Sequence, residues 1–267
     1  MEEVFSVNSI EYSDLKETYL KKIEGKTEGG FDMGIILPTY CEANNVRGLI
    51  QEIEELKLDS GILVIDDSSP DGTADIVREM QKKYSNILLF VRPKKCGLGT
   101  AITDGFKIFL SLKKPPKYVI TMDADYSHNP KDIIKIIKDD AHLTIGSRYC
   151  RGGKTQNWSP LRRIISKIAN RIASLVVGAR IRDYTSGFRC YSTTLIRNIL
   201  PHLHSQTYEI QIETIRQAHL RGFKIKERPI TFVNRKKGKS KLTLNEIKGF
   251  AWYILKVKLW SNISQRF

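Results

Sequence analysis

The feature of this 267-residue chain that most constrains its fold is an alternation, between residues 33 and 150, of short apolar runs and amphipathic segments. The apolar runs are MGIILP, GILVIDD, NILLFVRP, KYVITMDAD and AHLTIGSRY. Segments with helical spacing lie between them, for example EANNVRGLIQEIEELK and GTADIVREMQKKY. Parallel strands covered on both faces read as nearly continuous apolar runs, and helices form their crossovers. The alternation therefore predicts an α/β fold with a mostly parallel central sheet flanked by helices and right-handed crossovers.

The pattern changes after residue 150. LRRIISKIANRIASLVVGA predicts an amphipathic helix. Its apolar face carries Leu161, Ile164, Ile165, Ile168, Ile172, Leu175 and Val176, and its opposite face carries Arg162, Arg163, Ser166 and Asn170. We interpret RDYTSGFRCY as a loop, TTLIRNIL and EIQIETIRQAHLRG as helices, and FKIKERPITFV as a strand. A final helix is predicted from about Leu244 to Trp260.

The charge of the chain is distributed unevenly. Residues 1–147 contain 19 Lys and Arg against 24 Asp and Glu, whereas the chain from Arg148 onward contains 25 against 5. This excess predicts an anionic partner for the second part, which could be nucleic acid, an anionic membrane surface or a phosphorylated substrate. The basic stretch RKKGKSKL has few aromatic neighbours, which disfavours a platform for stacked bases.

Other features exclude several classes of protein. The four cysteines lie far apart without a C-x-x-C, which argues against a zinc site or a disulfide framework and for a reducing compartment. We expect no secretory leader, and the longest charge-free apolar runs are far shorter than the ~20 residues that span a bilayer. KKCGLGT is not a dinucleotide fingerprint, and the chain contains no P-loop motif.

Acidic residues follow two of the predicted strands. Asp66, Asp67 and Asp71 follow the second, and Asp123 and Asp125 follow the fourth. The carboxyl ends of parallel strands share the edge at which ligands bind. Some of these residues could merely cap helices or form turns, as could Asn129 before Pro130, but one cap leaves Asp123 unexplained. Asp-x-Asp supplies the hard oxygen ligands that Mg²⁺ prefers, so the sequence favours a metal site that also binds phosphate oxygens.

A family resemblance rests on seven motifs in order: ILPTYCEANNV, VIDDSSPDGT, GLGTA, MDADYSHNP, GSRY, SGFRCY and RKKGKSKL. Over about residues 33–248 they closely resemble dolichyl-phosphate mannose synthases, which are family-two glycosyltransferases with a Rossmann-like GT-A fold. The polar composition of residues 1–30 predicts an extension, the resemblance implies a GT-A domain over 31–241, and the sequence of residues 242–267 predicts a C-terminal amphipathic helix. That last helix would either lie at a membrane interface or pack on the sheet.

The resemblance also implies a reaction, namely inverting transfer of mannose from GDP-mannose to dolichyl or another polyprenyl phosphate, with Mg²⁺ or Mn²⁺. Transfer of glucose from UDP-glucose is the alternative within the class, and a non-enzymatic nucleic-acid-binding protein is a more remote one. The protein would be peripheral on the cytosolic face of the plasma membrane or the endoplasmic reticulum. Whether it needs a membrane subunit is left open.

The resemblance assigns roles to individual residues. The nucleoside would be held by Pro38, Tyr40, Glu42, Ile65 and Asp67, and the diphosphate would lie at Asp123, Ala124 and Asp125. Both aspartates would bind the metal, with Asp125 as the principal ligand. Arg148, Arg235 and Lys241 would contact the diphosphate, and Arg148, Arg162, Ser166 and Arg235 the acceptor phosphate. The residues implied in catalysis are Asp125, Arg148, Arg162 and Ser166. Ser127 departs from the pattern, because some members carry a metal-binding Gln there.

Overall fold

A central sheet of seven strands organises the protein, seen in a computed structural model that describes residues 20–234, 249, 252–255 and 257. The strands are β1 (Met33–Thr39), β2 (Ser60–Asp66), β3 (Ile87–Val91), β4 (Tyr118–Thr121), β5 (Leu143–Ser147), β6 (Lys154–Gln156), β7 (Arg189–Ser192), β8 (Ile225–Pro229) and β9 (Thr231–Val233). Their order in the large sheet is β3-β2-β1-β4-β7-β5-β8, and β6 pairs with β9 in a second sheet.

Helices connect these strands. They are α1 (Ala43–Glu54), α2 (Thr73–Lys83), α3 (Leu98–Ser111), α4 (Ile133–Ile136), α5 (Pro160–Val177), α6 (Thr193–Ile199) and α7 (Ile210–Leu220), with 3₁₀ turns at Pro130–Asp132 and Leu200–His202. Alternate residues of the central strands enter two separate apolar clusters, as Ile35 and Ile36 of β1 do. Both faces of the sheet are therefore covered, which confirms the predicted mostly parallel α/β architecture.

The strand β7 is the main departure from the sequence-based expectation. It runs antiparallel between β4 and β5, so the interpretation of RDYTSGFRCY as a loop is wrong for its last residues. No apolar run marks this strand, because Arg189 is completely buried within it and is paired there by polar groups. The predicted strand FKIKERPITFV is also divided at Ile230, so that β8 pairs with β5 and β9 pairs with β6.

The described parts of both terminal segments contact the domain. Glu24, in the segment assigned to a polar extension, pairs with Leu89 of β3 and binds Arg78 at 2.8 Å. Of the predicted C-terminal helix, the structure describes Gly249, Trp252–Leu255 and Val257 as helical. Ile254 and Val257 are buried, whereas Trp252 and Leu255 are exposed. The rest of that helix lies outside the described residues.

Helix α5 exposes its apolar side. The side chain of Ser159 caps its first turn, Pro160 begins it, and Gly178 at φ 79° ends it. Its buried residues are Asn170, Ala173 and Val177. The outward apolar face consists of six exposed residues, Leu161, Ile164, Ile165, Ile168, Ile172 and Leu175. Arg163, Lys167 and Arg171 form an exposed basic row along the same helix. Among the described residues, no helix combines the length and hydropathy that crossing a bilayer requires.

Substitutions on the two sides of α5 should have opposite consequences for stability. Ile168 is 53% exposed, so Ile168→Gln should change the free energy of unfolding by no more than about 0.5 kcal/mol. Ala173 is completely buried, so Ala173→Gln should lower it by about 1–3 kcal/mol through overpacking. Urea unfolding followed by circular dichroism measures both. A large loss with Ile168→Gln would show that the protein itself covers this face.

Candidate active site

A cleft of about 180 Å³ opens at the carboxyl ends of β1, β2 and β4, and we call it the strand-end cleft. Its lining includes Pro38, Tyr40, Glu42, Ile65, Asp67, Asp123, Ala124 and Asp125. The structure thus gathers at one edge of the sheet the residues expected at the nucleoside and the metal. Two further residues expected at the diphosphate, Arg235 and Lys241, lie outside the described residues.

The three acids that follow β2 have different environments. Asp66 accepts hydrogen bonds from Thr39 Oγ1 at 2.8 Å and from the Ser69 amide at 2.8 Å, which stabilises the turn. Asp71 accepts bonds from the amides of Ala43 and Thr73, as expected for a turn residue. Asp67 lines the cleft, so the functional expectation applies to this acid.

Asp67 forms a buried ion pair that sequence reasoning missed. Its carboxylate accepts a hydrogen bond of 2.6 Å from Arg92 Nε, and Arg92 is only 3% exposed. The other carboxylate oxygen accepts bonds from the amides of Cys96 and Gly97, at 3.2 Å each. Asp67 therefore fixes the start of α3 at the rim of the cleft. Arg92 follows β3 directly in the sequence, which is the one local signal that could have marked it.

His128 fixes the backbone between the two aspartates and β4. The Asp123 amide donates to His128 Nδ1 at 3.3 Å, and the imidazole stacks on Phe188 with ring centroids 5.2 Å apart. Burial lowers the pKa of His128, and the nearby carboxylates of Asp123 and Asp125 only partly offset this. We conclude that His128 is a neutral positioning residue. No role was predicted for His128 from the sequence.

Three loops at this edge adopt backbone conformations that are unusual for residues with a side chain. Cys41 follows β1 with φ 57°, Ser68 follows β2 with φ 52°, and Tyr126 follows β4 with φ 60°. Such left-handed residues cost free energy, and they concentrate where a site requires a particular geometry. All three loops that border the strand-end cleft share this property, which is typical of a functional site.

The acidic pair offers hard oxygen ligands for a divalent cation. Asp125 Oδ1 accepts the Ser127 amide at 3.0 Å, and Ser127 Oγ is buried without a hydrogen-bond partner among the described residues. Those residues contain no cluster of three or more His, Cys, Asp or Glu placed to hold a metal. The donor set therefore fits a cation that Asp123 and Asp125 share with oxygen atoms of a bound phosphate and water.

Arg148, which directly follows β5, forms a buried ion pair with Asp183. Arg148 Nε and Nη2 donate to the two carboxylate oxygens of Asp183 at 2.8 and 2.7 Å, and the Arg148 amide donates at 2.8 Å. Burial raises the pKa of Asp183, but the charge and hydrogen bonds of Arg148 outweigh it and hold that pKa below its usual range. Asp183 was not predicted, because nothing local distinguishes it from other loop acids.

Arg148, Trp158, Arg162 and Ser166 form a cluster that we call the arginine corner. The guanidinium carbons of Arg148 and Arg162 lie over the Trp158 ring, 5.3 and 4.2 Å from its centroid. Tyr149, adjacent to Arg148, donates to Ser166 Oγ at 2.7 Å. The structure thus brings together Arg148, directly after β5, with Arg162 and Ser166 of α5, three of the residues expected at the acceptor phosphate. Trp158 was missed.

A second cavity of about 580 Å³ lies beside Asp125. Asp125, His128 and Asn234 are among its lining residues. Asn234 accepts a hydrogen bond of 2.8 Å from Arg162 Nη1. Asn234 therefore connects this cavity, which Asp125 also lines, to the arginine corner.

Comparisons with known proteins agree with this arrangement. The profile of Glycosyl transferase family 2 matches residues 34–200. Polyprenol monophosphomannose synthase of Mycolicibacterium smegmatis is 34% identical over 219 residues, which cover 80% of this chain and 82% of that protein. Undecaprenyl-phosphate mannosyltransferase of Micrococcus luteus is 35% identical over 212 residues, which cover 78% and 86%.

Solved structures share the fold at low identity. Glucosyl-3-phosphoglycerate synthase from Mycobacterium tuberculosis, in complex with Mn²⁺, UDP and glucosyl-3-phosphoglycerate, superposes with a TM-score of 0.61 at 14% identity, over 96% of this chain and 85% of that one. The mannosyltransferase PcManGT from Pyrobaculum calidifontis, in complex with GDP-Man and Mn²⁺, superposes with a TM-score of 0.54 at 15% identity, over 86% and 65%. These likenesses confirm the expected GT-A fold.

Removing one partner of the Arg148–Asp183 pair should strongly destabilise the protein. Asp183→Asn leaves a buried arginine without its counter-charge, which typically costs about 3–5 kcal/mol. Because the pKa of Asp183 is depressed by folding, its contribution is present above its unfolded pKa of ~3.9 and is lost as the pH falls through the lower folded value. The variant should therefore lose stability at neutral pH and show a shallower loss on acidification, measured by urea unfolding between pH 3 and 7.

Asp140→Asn is the matched control for this prediction. Asp140 pairs with Lys224 at 2.6 Å, but its side chain is 93% exposed, so the unfolding midpoint should barely move. Equal, small effects of the two substitutions would contradict the role assigned to the buried pair.

Proposed function

The chain belongs to glycosyl transferase family 2, and on that premise we propose that it transfers mannose from GDP-mannose to a polyprenyl phosphate such as dolichyl phosphate. The observation that carries the proposal is the arginine corner, which lies beside an acidic strand-end cleft. The two mannosyltransferases at 34% and 35% identity support polyprenyl phosphate as the acceptor. The GDP-Man in PcManGT supports the donor by likeness of fold.

The arginine corner suits an acceptor that is already anionic. An alcohol would need a carboxylate or imidazole base to become nucleophilic. A phosphate monoester has a second pKa near ~6, so it carries its nucleophilic oxygen charged at neutral pH and needs only to be positioned. Arg162 and the Ser166 hydroxyl would hold it, and Arg148 would supply further positive charge. The Trp158 ring and the Asp183 carboxylate keep the guanidinium groups in place for this task.

The reaction would be a displacement with inversion at the anomeric carbon. An oxygen of the acceptor phosphate forms a bond to that carbon while the bond to the GDP diphosphate breaks, giving polyprenyl phosphomannose and GDP. Pro38, Tyr40, Glu42, Ile65 and Asp67 would hold the nucleoside. Arg235 and Lys241 would add positive charge at the diphosphate.

Asp123 and Asp125 would hold Mg²⁺ or Mn²⁺ in this reaction. When bound, such a cation neutralises charge that grows on the departing diphosphate. The Mn²⁺ in the two similar structures supports the same chemistry here. The His128 ring and the Ser127 amide position the aspartates, because they bond the Asp123 backbone and the Asp125 carboxylate respectively.

The outward apolar face of α5 supports a peripheral position on a membrane. A polyprenyl phosphate keeps its tail in the bilayer and its phosphate at the surface, so the acceptor site must reach that surface. Arg162 and Ser166 lie on the same helix as the outward apolar face. The basic row of Arg163, Lys167 and Arg171 would contact anionic headgroups while the apolar residues enter the interface. We place the protein on the cytosolic face of its membrane.

The donor, the acceptor and the metal can be tested in one assay. Purified protein is offered GDP-mannose or UDP-glucose with a polyprenyl phosphate, with and without EDTA. We expect mannosyl transfer from GDP-mannose that EDTA abolishes and that Asp125→Asn lowers by about 10²-fold or more, through loss of charge stabilisation. Turnover that neither chelation nor Asp125→Asn affects would exclude the metal-dependent mechanism.

Arg162→Ala is the companion variant for the acceptor side of this assay. It should lose activity and retain the affinity for GDP, measured by calorimetry. Equal losses of activity and of GDP affinity would assign Arg162 to the donor instead.

Membrane binding should depend on the outward apolar face. Ile168→Ser combined with Leu175→Ser should weaken co-sedimentation with vesicles of phosphatidylcholine and phosphatidylglycerol by about tenfold or more, because two apolar side chains no longer leave water. The double variant should keep its activity on a water-soluble short-chain acceptor. Unchanged vesicle binding would show that a different surface meets the membrane.

A further inference from the structure

Gln211, in the first turn of α7, has a buried side-chain amide without a hydrogen-bond partner. The residue is 2% exposed, and neither Nε2 nor Oε1 finds a partner among the described residues. A buried polar group left unpaired costs about 1–3 kcal/mol, and folded proteins seldom retain one. An apolar side chain of the same shape would avoid that cost. The amide therefore points to a partner that binds from outside the protein.

The amide lies across Gly187 from the Asp123 carboxylate. A Cβ added to Gly187 would lie 3.6 Å from Gln211 Nε2, 3.3 Å from Asp123 Oδ1 and 3.7 Å from Asp123 Oδ2. Gly187 is itself half-buried, and it is not among the glycines with positive φ. Its backbone therefore does not require glycine. The absence of a side chain instead leaves a small gap, bordered by an amide and by the acid expected at the donor.

One buried arginine holds both walls of this gap. The Arg189 guanidinium donates to the carbonyls of Ser186 at 2.8 Å and Tyr184 at 2.9 Å, on the segment that carries Gly187. The same guanidinium donates to the Gln211 carbonyl at 2.5 Å. Thr121 Oγ1 also donates to the Gly187 carbonyl at 2.7 Å. These hydrogen bonds hold both walls of the gap in position, as a recognition site requires.

We propose that Gln211 and Asp123 together bind a hydroxyl group of the transferred sugar, in the gap left by Gly187. The inference rests on the proposed glycosyl transfer and names the group that would read the sugar. A hydroxyl both donates and accepts, so it can donate to the Asp123 carboxylate and accept from the Gln211 amide. A donor that lacks this hydroxyl leaves the buried amide unpaired and is rejected. Gln211 is thus a specificity-determining residue for the sugar.

Gln211→Met tests the inference, because methionine keeps the length of the side chain without its hydrogen-bonding groups. We expect kcat/KM for the sugar nucleotide to fall about tenfold or more, while the Kd of GDP, which carries no sugar, stays within twofold. We also expect the Tm of the sugar-free protein to stay the same or rise, because an unpaired buried amide has been removed. A purely structural role of Gln211 would lower the Tm.

Two further variants sharpen this test. Gly187→Ala fills the gap and should lower turnover of the sugar nucleotide while leaving the Kd of GDP unchanged. Gln217→Met is the matched control on the same helix, since the Gln217 amide already bonds the His202 carbonyl and Arg221, and it should leave the kinetics unchanged. The inference would be overturned if Gln211→Met kept full activity. It would also be overturned if the variant lost affinity for GDP by the same factor as it lost kcat/KM for the sugar nucleotide.

A series of deoxy sugar nucleotides identifies the hydroxyl. For the analogue that lacks the bound hydroxyl, kcat/KM should be the same with the unmodified protein and with Gln211→Met, because neither complex can form the hydrogen bond. If Gln211→Met lowered kcat/KM by the same factor for every analogue in the series, the inference would also be overturned. The donor used is whichever sugar nucleotide the protein turns over. A protein that transfers from UDP-glucose therefore contradicts the proposed donor but still tests Gln211, whereas a protein that uses no sugar nucleotide contradicts the proposed function itself.

Discussion

The site depends on the buried segment 183–188 and on Arg189, which anchors it between β4 and β5. Asp183 at one end of the segment binds Arg148 of the basic half, and Gly187 at the other end lies against Asp123 of the acidic half. The Arg189 guanidinium ties this segment to α7 through four hydrogen bonds. Because β7 runs antiparallel in an otherwise mostly parallel region, its incoming end reaches the edge where β4 and β5 end.

The two halves of the site divide the charge between them. Asp67, Asp123 and Asp125 line the strand-end cleft, whereas Arg148 and Arg162 both contact the Trp158 ring. Two buried arginines in this region have counter-charges, Arg92 in Asp67 and Arg148 in Asp183. This separation suits a reaction in which both the nucleophile and the leaving group are phosphates. In such a reaction the arginines would position the nucleophilic phosphate, and a cation held by the carboxylates would stabilise the departing phosphate.

Helix α5 carries both Arg162 and Ser166 of the arginine corner and the outward apolar face. Its buried side is formed by small and polar residues such as Asn170 and Ala173, and Asn170 bonds both the Ser166 carbonyl and Thr185. Its other side exposes six large apolar residues. An ordinary surface helix has the reverse arrangement, because apolar burial is the main source of stability. The exposed face is explained if a lipid interface covers it, and Arg162 and Ser166, the residues of α5 proposed to hold the acceptor phosphate, then lie on the same helix as the proposed membrane contact.

The sequence alone determined the class of the fold and half of the site. Continuous apolar runs of strand length between helices are typical of parallel strands covered on both faces, and this places the residues after β1, β2 and β4 at one edge. Tyr40, Asp67 and Asp125 could therefore be predicted. The strand β7, the Arg92, His128 and Asp183 partners and the unpaired Gln211 could not, because each is defined by contacts between residues distant in sequence. Periodicity likewise revealed that α5 is amphipathic, but only its packing in the tertiary structure decided which side faces the protein.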